Sequence, residues 1–227
     1  MNPVLEKIPD RILKLALGAL AQANTHAVYF DPGNEHWEYM SVLNAAHAGE
    51  LVLKAIIARE HPLLIFNDIF KLDDERSDGL DLEKLIRKGK THSFEQLPKV
   101  LWAVTGIRTP NLECFDRLRK ARNSIQHFCA PDDDDLRALS LEFLYTIIDP
   151  LLADCFGVYT IEYHEDPSVG YDYVVGALIA GEIRFTMPND FDLSEIEVPK
   201  LLREASEDYR VWFSREVEKI GKIDLLS

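Results

Sequence analysis

The stretch HAGELVLKAIIA, residues His47 to Ala58, decides how the rest of the chain is read. It closes a longer segment, residues 34–60, in which Trp37 to Ala58 holds no proline and a single glycine. Apolar residues lie around most of its circumference at helical spacing, the pattern of a helix buried on nearly all sides. The chain is therefore expected to be mainly α, a helical bundle around this element. His61-Pro62 ends it, because proline cannot continue a helix from within.

Working outward, Ile12 to Ala23 carries Ile12, Leu15, Leu17 and Leu20 at helical spacing. Residues 62–80 read as a loop or short turns, closing on Asp73-Asp74-Glu75-Arg76. Asp81 to Lys88 is a short helix stopped by Gly89. Ser93 to Val104 is another, with Leu97, Val100, Leu101 and Val104 on one face. Pro110 precedes Asn111, which caps a helix running to about Phe128. The acidic run Pro131-Asp132-Asp133-Asp134-Asp135 suits a helix start, where the macrodipole favours carboxylates. The following helix holds Leu136, Leu139, Leu141, Phe143, Leu144 and Ile147, and Asp149-Pro150 should kink it or restart it.

Past Gly157 the pattern changes. Val158 to Ile161 alternates weakly, as a short strand does. Tyr173 to Phe185 is ambiguous between helix and strand. Leu201, Leu202, Ala205, Tyr209, Trp212, Phe213, Val217 and Ile220 describe one amphipathic C-terminal helix. The division expected from this is a helical bundle over 1–156 and an appended region of mixed turns and one amphipathic helix over 157–227.

Composition narrows the class. The 227 residues are 47% apolar and 28% charged, ordinary for a globular protein. Uncharged runs are shorter than a membrane span needs, and no basic-then-apolar leader opens the chain, so no membrane association is expected. Cys114, Cys129 and Cys155 form no CxxC pair, which argues against a disulfide framework or structural zinc and for a reducing, cytoplasmic setting. The histidines offer no metal-ligand spacing, and neither a metal nor another cofactor is expected.

The net charge of −14 weighs against nucleic-acid binding, but its distribution does not. Residues 1–80 carry 7 basic and 12 acidic side chains, and residues 123–227 carry 8 and 22. Residues 81–122 carry 10 basic and 5 acidic, a basic island able to hold a phosphate.

That island ends in Arg117-Leu118-Arg119-Lys120-Ala121-Arg122-Asn123-Ser124-Ile125-Gln126-His127. On a helix, Cys114, Leu118, Ala121, Ile125 and Phe128 share one stripe, while Asn123 and His127 lie about 160° from it. Arg119 and Lys120 fall on the outer half, and Arg122 sits at the flank. A second Arg–His pair at the same spacing, Arg87 to His92, contains Gly89 and straddles a helix end. An imidazole beside an amide and three cations reads as a surface that handles phosphate, or as a solvated polar face with an incidental histidine.

The segment RNSIQH, Arg122 to His127, resembles the signature of the HEPN superfamily: Arg and His separated by four to six residues, often with Asn directly after the Arg. The long upstream helix and the helices that flank the signature fit the same organisation over residues 35–156. The resemblance implies a metal-independent endoribonuclease with Arg122, His127 and Asn123 as catalytic residues, and Arg119 and Lys120 as RNA-binding cations. It further implies a homodimer in which two signature helices line one cleft, and a role as a toxin or phage-defence effector, possible partners being an antitoxin or another defence component. One toxin branch continues its signature to a tyrosine two residues after the histidine. Here that position is Cys129, so this regulation is not carried over.

Glu50 and Lys54, at i and i+4 with His47 on the same side, interrupt the apolar helix. They read either as a local ion pair or, supporting the signature, as Glu50 holding Arg122. The alternative to an enzyme is a non-catalytic HEPN-like helical module that binds RNA, a nucleotide or a protein partner. A third reading is a helical adaptor assembled through its Trp212/Phe213 helix.

Overall fold

The computed structural model describes residues 1–29, 33–34, 36–72, 79–127, 135–166 and 169–226. The fold class is mainly α, as expected. Its helices are α1 (Pro3–Glu6), α2 (Ile8–Val28), α3 (His36–Glu60), α4 (Leu82–Lys88), α5 (Leu97–Thr105) and α6 (Leu112–His127). They continue with α7 (Leu136–Phe143), α8 (Asp149–Phe156), α9 (Asp172–Ala180), α10 (Val198–Glu204) and α11 (Glu207–Lys219). Asp73 to Arg76, Phe128, Cys129 and Pro131 to Asp134, to which the sequence assigned a charged loop end, the end of the signature helix and an acidic helix start, lie outside the described residues.

Two compact units make up the chain, and the boundary expected at 156/157 separates neither. One unit comprises Met1–Ala16 and Ala48–Thr109, the other Leu17–His47 and Pro110–Ser227. Residues 157–227 thus belong to the same compact unit as α6 to α8. The cut falls inside α2 and α3, where periodicity is unbroken and the sequence offers no mark of it.

The long apolar helix is buried as its pattern required: Val42, Ala45, Ala46, Ala48, Val52, Leu53, Ala55, Ile56, Ile57 and Ala58 are all buried. Among the described residues α3 is the one helix long and apolar enough to cross a membrane, contrary to the expectation of none. Two-thirds of that window (67%) is nevertheless buried inside the protein, as in a core helix. In α2 the face differs from the expected one. Ala16, Leu20 and Ala23 are buried whereas Leu15 is 65% exposed, because small alanines complete the inward stripe.

In the first unit, the chain after α3 pairs briefly with residues beyond α4 through an isolated antiparallel bridge between Phe66 and Thr91. Asn67 N–H donates to Lys90 O at 2.9 Å and His92 N–H to Ile65 O at 2.9 Å. Asp81 caps α4 by accepting from Lys84 N–H at 2.9 Å. The helix stops at Gly89, which turns extended at ψ 139°, and a Cβ there would fall 2.4 Å from Leu85 O and 2.7 Å from the Phe66 ring, so no larger residue fits. Ser93 opens the next segment with a reciprocal capping box to Gln96.

In the second unit, α7 runs into a π-helical turn, Leu144–Ile148, and restarts as α8 with Pro150 in its first turn. Proline has no N–H to give the preceding turn, and the wider turn absorbs the mismatch. Asp149, at this junction, is 0% exposed. Its carboxylate accepts from Thr160 N–H at 3.0 Å and Thr186 N–H at 2.6 Å. Close by, Asn24 donates to the carbonyls of Thr160 and Tyr163, both at 2.9 Å, and accepts from the Tyr145 hydroxyl at 3.0 Å.

The region beyond Gly157 departs from its reading in two places and resolves an ambiguity in a third. Residues 160–162 form a 3-10 turn rather than a strand, and Asp172–Ala180 is a helix. The C-terminal amphipathic stretch is two helices, not one. It breaks at Ala205-Ser206, where the Ser206 hydroxyl accepts from Tyr209 N–H at 3.3 Å and starts α11. Leu202, Tyr209, Phe213 and Val217 are buried, with Phe185 and Phe191 among the aromatic neighbours of this cluster.

Asp149 yields a signed prediction. Burial raises its pKa from the ordinary 3.8, opposed by hydrogen bonds from Thr186 and Thr160. Between 3.8 and the raised folded value the folded state binds more protons than the unfolded state, so this group's contribution to stability falls as pH climbs through that window. Asp149→Ala, which strands two buried N–H groups, should cost about 2–4 kcal/mol in urea unfolding. Asp149→Asn keeps one acceptor and does not titrate. Its deficit relative to the wild type should be largest below the window and shrink as pH rises through it.

Candidate functional site

The RNSIQH segment lies on α6, whose start is set by chemistry that the sequence displays. Pro110 gives up an N–H before the helix, and Asn111 takes a left-handed conformation at φ 47°. Its side-chain oxygen accepts from Cys114 N–H at 3.2 Å. Its amide donates to Glu142 at 3.2 Å and to the Thr146 hydroxyl at 3.1 Å. One residue therefore caps α6 and ties it to the α7 segment, and Arg117 adds an ion pair to Glu142 at 3.2 Å. Neither role of Glu142 is visible in the sequence, since 31 and 25 residues separate it from its partners.

Cys114, Phe115, Leu118 and Ala121 form the buried face. Phe115 was absent from the expected stripe and packs near Phe143, ring centroids 6.1 Å apart. Ile125, expected at its centre, is half-buried. The Cys114 thiol is pushed up to about 12, by burial first and by Glu142 next. It is therefore neutral near pH 7 and no candidate nucleophile.

On the other side, His127 is exposed, and Arg122 and Asn123 are half-buried. Arg122 Nη1 donates to the Asn123 side-chain oxygen at 3.0 Å. Asn123 thereby gains a definite role, in which its carbonyl holds the guanidinium and its NH2 group remains a donor. Lys120 is exposed, whereas the Arg119 guanidinium pairs with Asp116 at 3.3 Å and is only 19% exposed along its side chain. Asp116 offsets part of the charge counted for RNA, and its i, i+3 spacing was the available signal.

The other constellation resolves toward its local reading. Lys54 Nζ donates to Glu50 at 2.5 Å and to the Thr91 hydroxyl at 2.9 Å. Thr91 belongs to the bridge that follows α4, so this pair fastens a loop to α3. Arg87 and His92 do not share a helix: Arg87 is in the last turn of α4, and His92 lies beyond Gly89. Among the described residues no group of three or more His, Cys, Asp or Glu side chains is placed to hold a metal ion.

Comparison with protein-family models, with curated proteins and with solved structures finds no match to this chain. The functional reading therefore stands on the residues themselves. The two roles of Asn111, as cap and as tie to α7, predict a graded outcome. Asn111→Ala loses the cap and keeps a strained backbone, so it should destabilise the chain by about 1–2 kcal/mol in chemical denaturation. Asn111→Gly, at ease with positive φ, should cost less.

Proposed function

We propose that this chain is a metal-independent endoribonuclease of HEPN type that uses Arg122, Asn123 and His127. The observation that carries the reading is the Arg122–Asn123 hydrogen bond, 3.0 Å, on the helix that presents His127 to solvent. It supplies a preoriented cation on the helix that also carries an imidazole, the one kind of side chain suited to proton exchange near neutral pH.

In this mechanism His127 removes the proton from a ribose 2′-OH, which attacks the adjacent phosphorus. The P–O5′ bond breaks and the departing 5′-oxygen takes up a proton from the imidazolium so formed or from water, leaving a 2′,3′-cyclic phosphate on one product and a 5′-hydroxyl on the other. Arg122 stabilises the charge that gathers on the non-bridging oxygens, in the geometry that its planar fork suits. Asn123 is a positioning residue for Arg122. Lys120 attracts the RNA backbone, and Arg119 contributes less because Asp116 neutralises it. A second copy of the chain supplies the other half of the cleft, so the active species is a homodimer, with a defence or toxin role following from the resemblance alone.

Purified protein incubated with total RNA in EDTA should cleave it, with cyclic-phosphate ends. Arg122→Ala and His127→Ala should each lower the rate about 10²–10⁴-fold while leaving far-UV circular dichroism unchanged. Asn123→Ala should lose less, and Glu50→Gln should be nearly silent, since Glu50 pairs with Lys54. Dependence on a divalent metal, 3′-hydroxyl products, or full activity in the Arg122→Ala, His127→Ala double variant would overturn the proposal. No cleavage by the wild type would favour the non-catalytic binding module, which the net charge of −14 accommodates more easily.

A further inference from the structure

Within the second unit, away from the RNSIQH segment in sequence, a groove of about 480 Å³ is lined by Tyr29, Trp37, Tyr173 and three carboxylates, Glu165, Asp166 and Glu195. Its volume is that of a small-molecule site. The aromatic wall is ordered by contacts of its own. Tyr29 and Tyr173 stack with centroids 4.8 Å apart and planes 7° from parallel. Trp37 is braced by His26, which meets it edge-on at 5.1 Å.

The acidic rim is held as firmly. Glu165 N–H donates to the Thr25 hydroxyl at 3.0 Å, and its carboxylate accepts from the Gln22 amide, a neutral partner that leaves its charge in place. Asp172, buried, accepts from Ser194 N–H at 2.7 Å and Glu195 N–H at 2.6 Å, which sets the backbone that carries Glu195. Three segments distant in sequence are thus fastened around one hollow.

The chemistry of the lining selects its occupant. Among the described residues, the lining holds three carboxylates and neither lysine nor arginine. Aromatic faces attract cations through their quadrupole, best when the cation is partly stripped of water. A neutral apolar guest would be disfavoured among carboxylates, and an anion would be repelled. Burial, followed by the nearby Tyr173 and Asp166, raises the Tyr29 pKa, so the phenol stays neutral.

We infer that this groove binds a small organic cation of the alkylammonium class, with Trp37, Tyr29 and Tyr173 as the aromatic wall and Glu165 and Glu195 as the counter-charges. The site is independent of RNA cleavage and stands or falls separately from it.

The probe is choline, titrated calorimetrically into the full chain at low salt, with 3,3-dimethylbutan-1-ol as its uncharged isostere. Saturable one-site binding of choline is expected, with the isostere at least about tenfold weaker. Tyr173 is 57% exposed, so Tyr173→Ala should fold normally and weaken choline about five- to tenfold. Glu165→Gln and Glu195→Gln should each weaken it severalfold, more at low than at high salt. Trp102→Ala, outside the groove, should bind as the wild type does. Equal binding of choline and its isostere, wild-type affinity in Tyr173→Ala, an equal loss in Trp102→Ala, or no saturable binding at millimolar choline would each overturn the assignment.

Discussion

The buried carboxylate of Asp149 is the constraint on which much of the second unit depends. It stands where a π-helical turn meets a proline-started helix, and it has no cation as partner in either hydrogen bond. Two backbone N–H groups, Thr160 at 3.0 Å and Thr186 at 2.6 Å, bring the chain beyond Gly157 back onto α8. Asn24 does the same for the carbonyls of Thr160 and Tyr163, and the Tyr145 hydroxyl fixes Asn24 in turn. The irregular stretches on either side of α9 satisfy few of their own backbone groups. Buried without such partners, each would cost the desolvation of a polar group. Asp149 and Asn24 therefore do for the stretches at Thr160, Tyr163 and Thr186 what a hydrogen-bond ladder does for regular structure.

The same division of labour holds around α6. Its inner face is apolar and its outer face carries the candidate chemistry, while Asn111 and Glu142 tie its first turn to α7 by polar contacts. At the distal end, the Arg122–Asn123 hydrogen bond joins neighbours in sequence rather than separate elements. It narrows the positions of a long side chain. A cation held by a neutral amide keeps its full charge, in contrast to Arg119, whose charge Asp116 offsets.

The aromatic groove completes a contrast between two polar surfaces of one acidic chain. Around α6 the charges are mostly positive and the ring that matters is an imidazole. In the groove the charges are negative and the rings are neutral aromatics. Net charge describes neither, because the local arrangement of a few side chains outweighs a sum over 227 residues.

The amino-acid sequence by itself determined the fold class, the long buried helix, the helix starts at Asp81 and Ser93, the cap at Asn111, the stop at Gly89 and the outward position of His127. All of these are consequences of helical periodicity or of contacts within four residues. Tertiary structure alone decided the rest. The division into two units cuts through helices whose periodicity never falters. Asp149, Asn24 and Glu142 act on partners 11 to 139 residues away. Lys54 holds both Glu50 and Thr91, the second of these from a loop that no spacing rule connects to it. Tyr29, Trp37, Tyr173, Glu165 and Glu195 have no shared period at all. They become a site only because α2, α3 and α9 bring their ends together, and local pattern carries no information about which ends will meet.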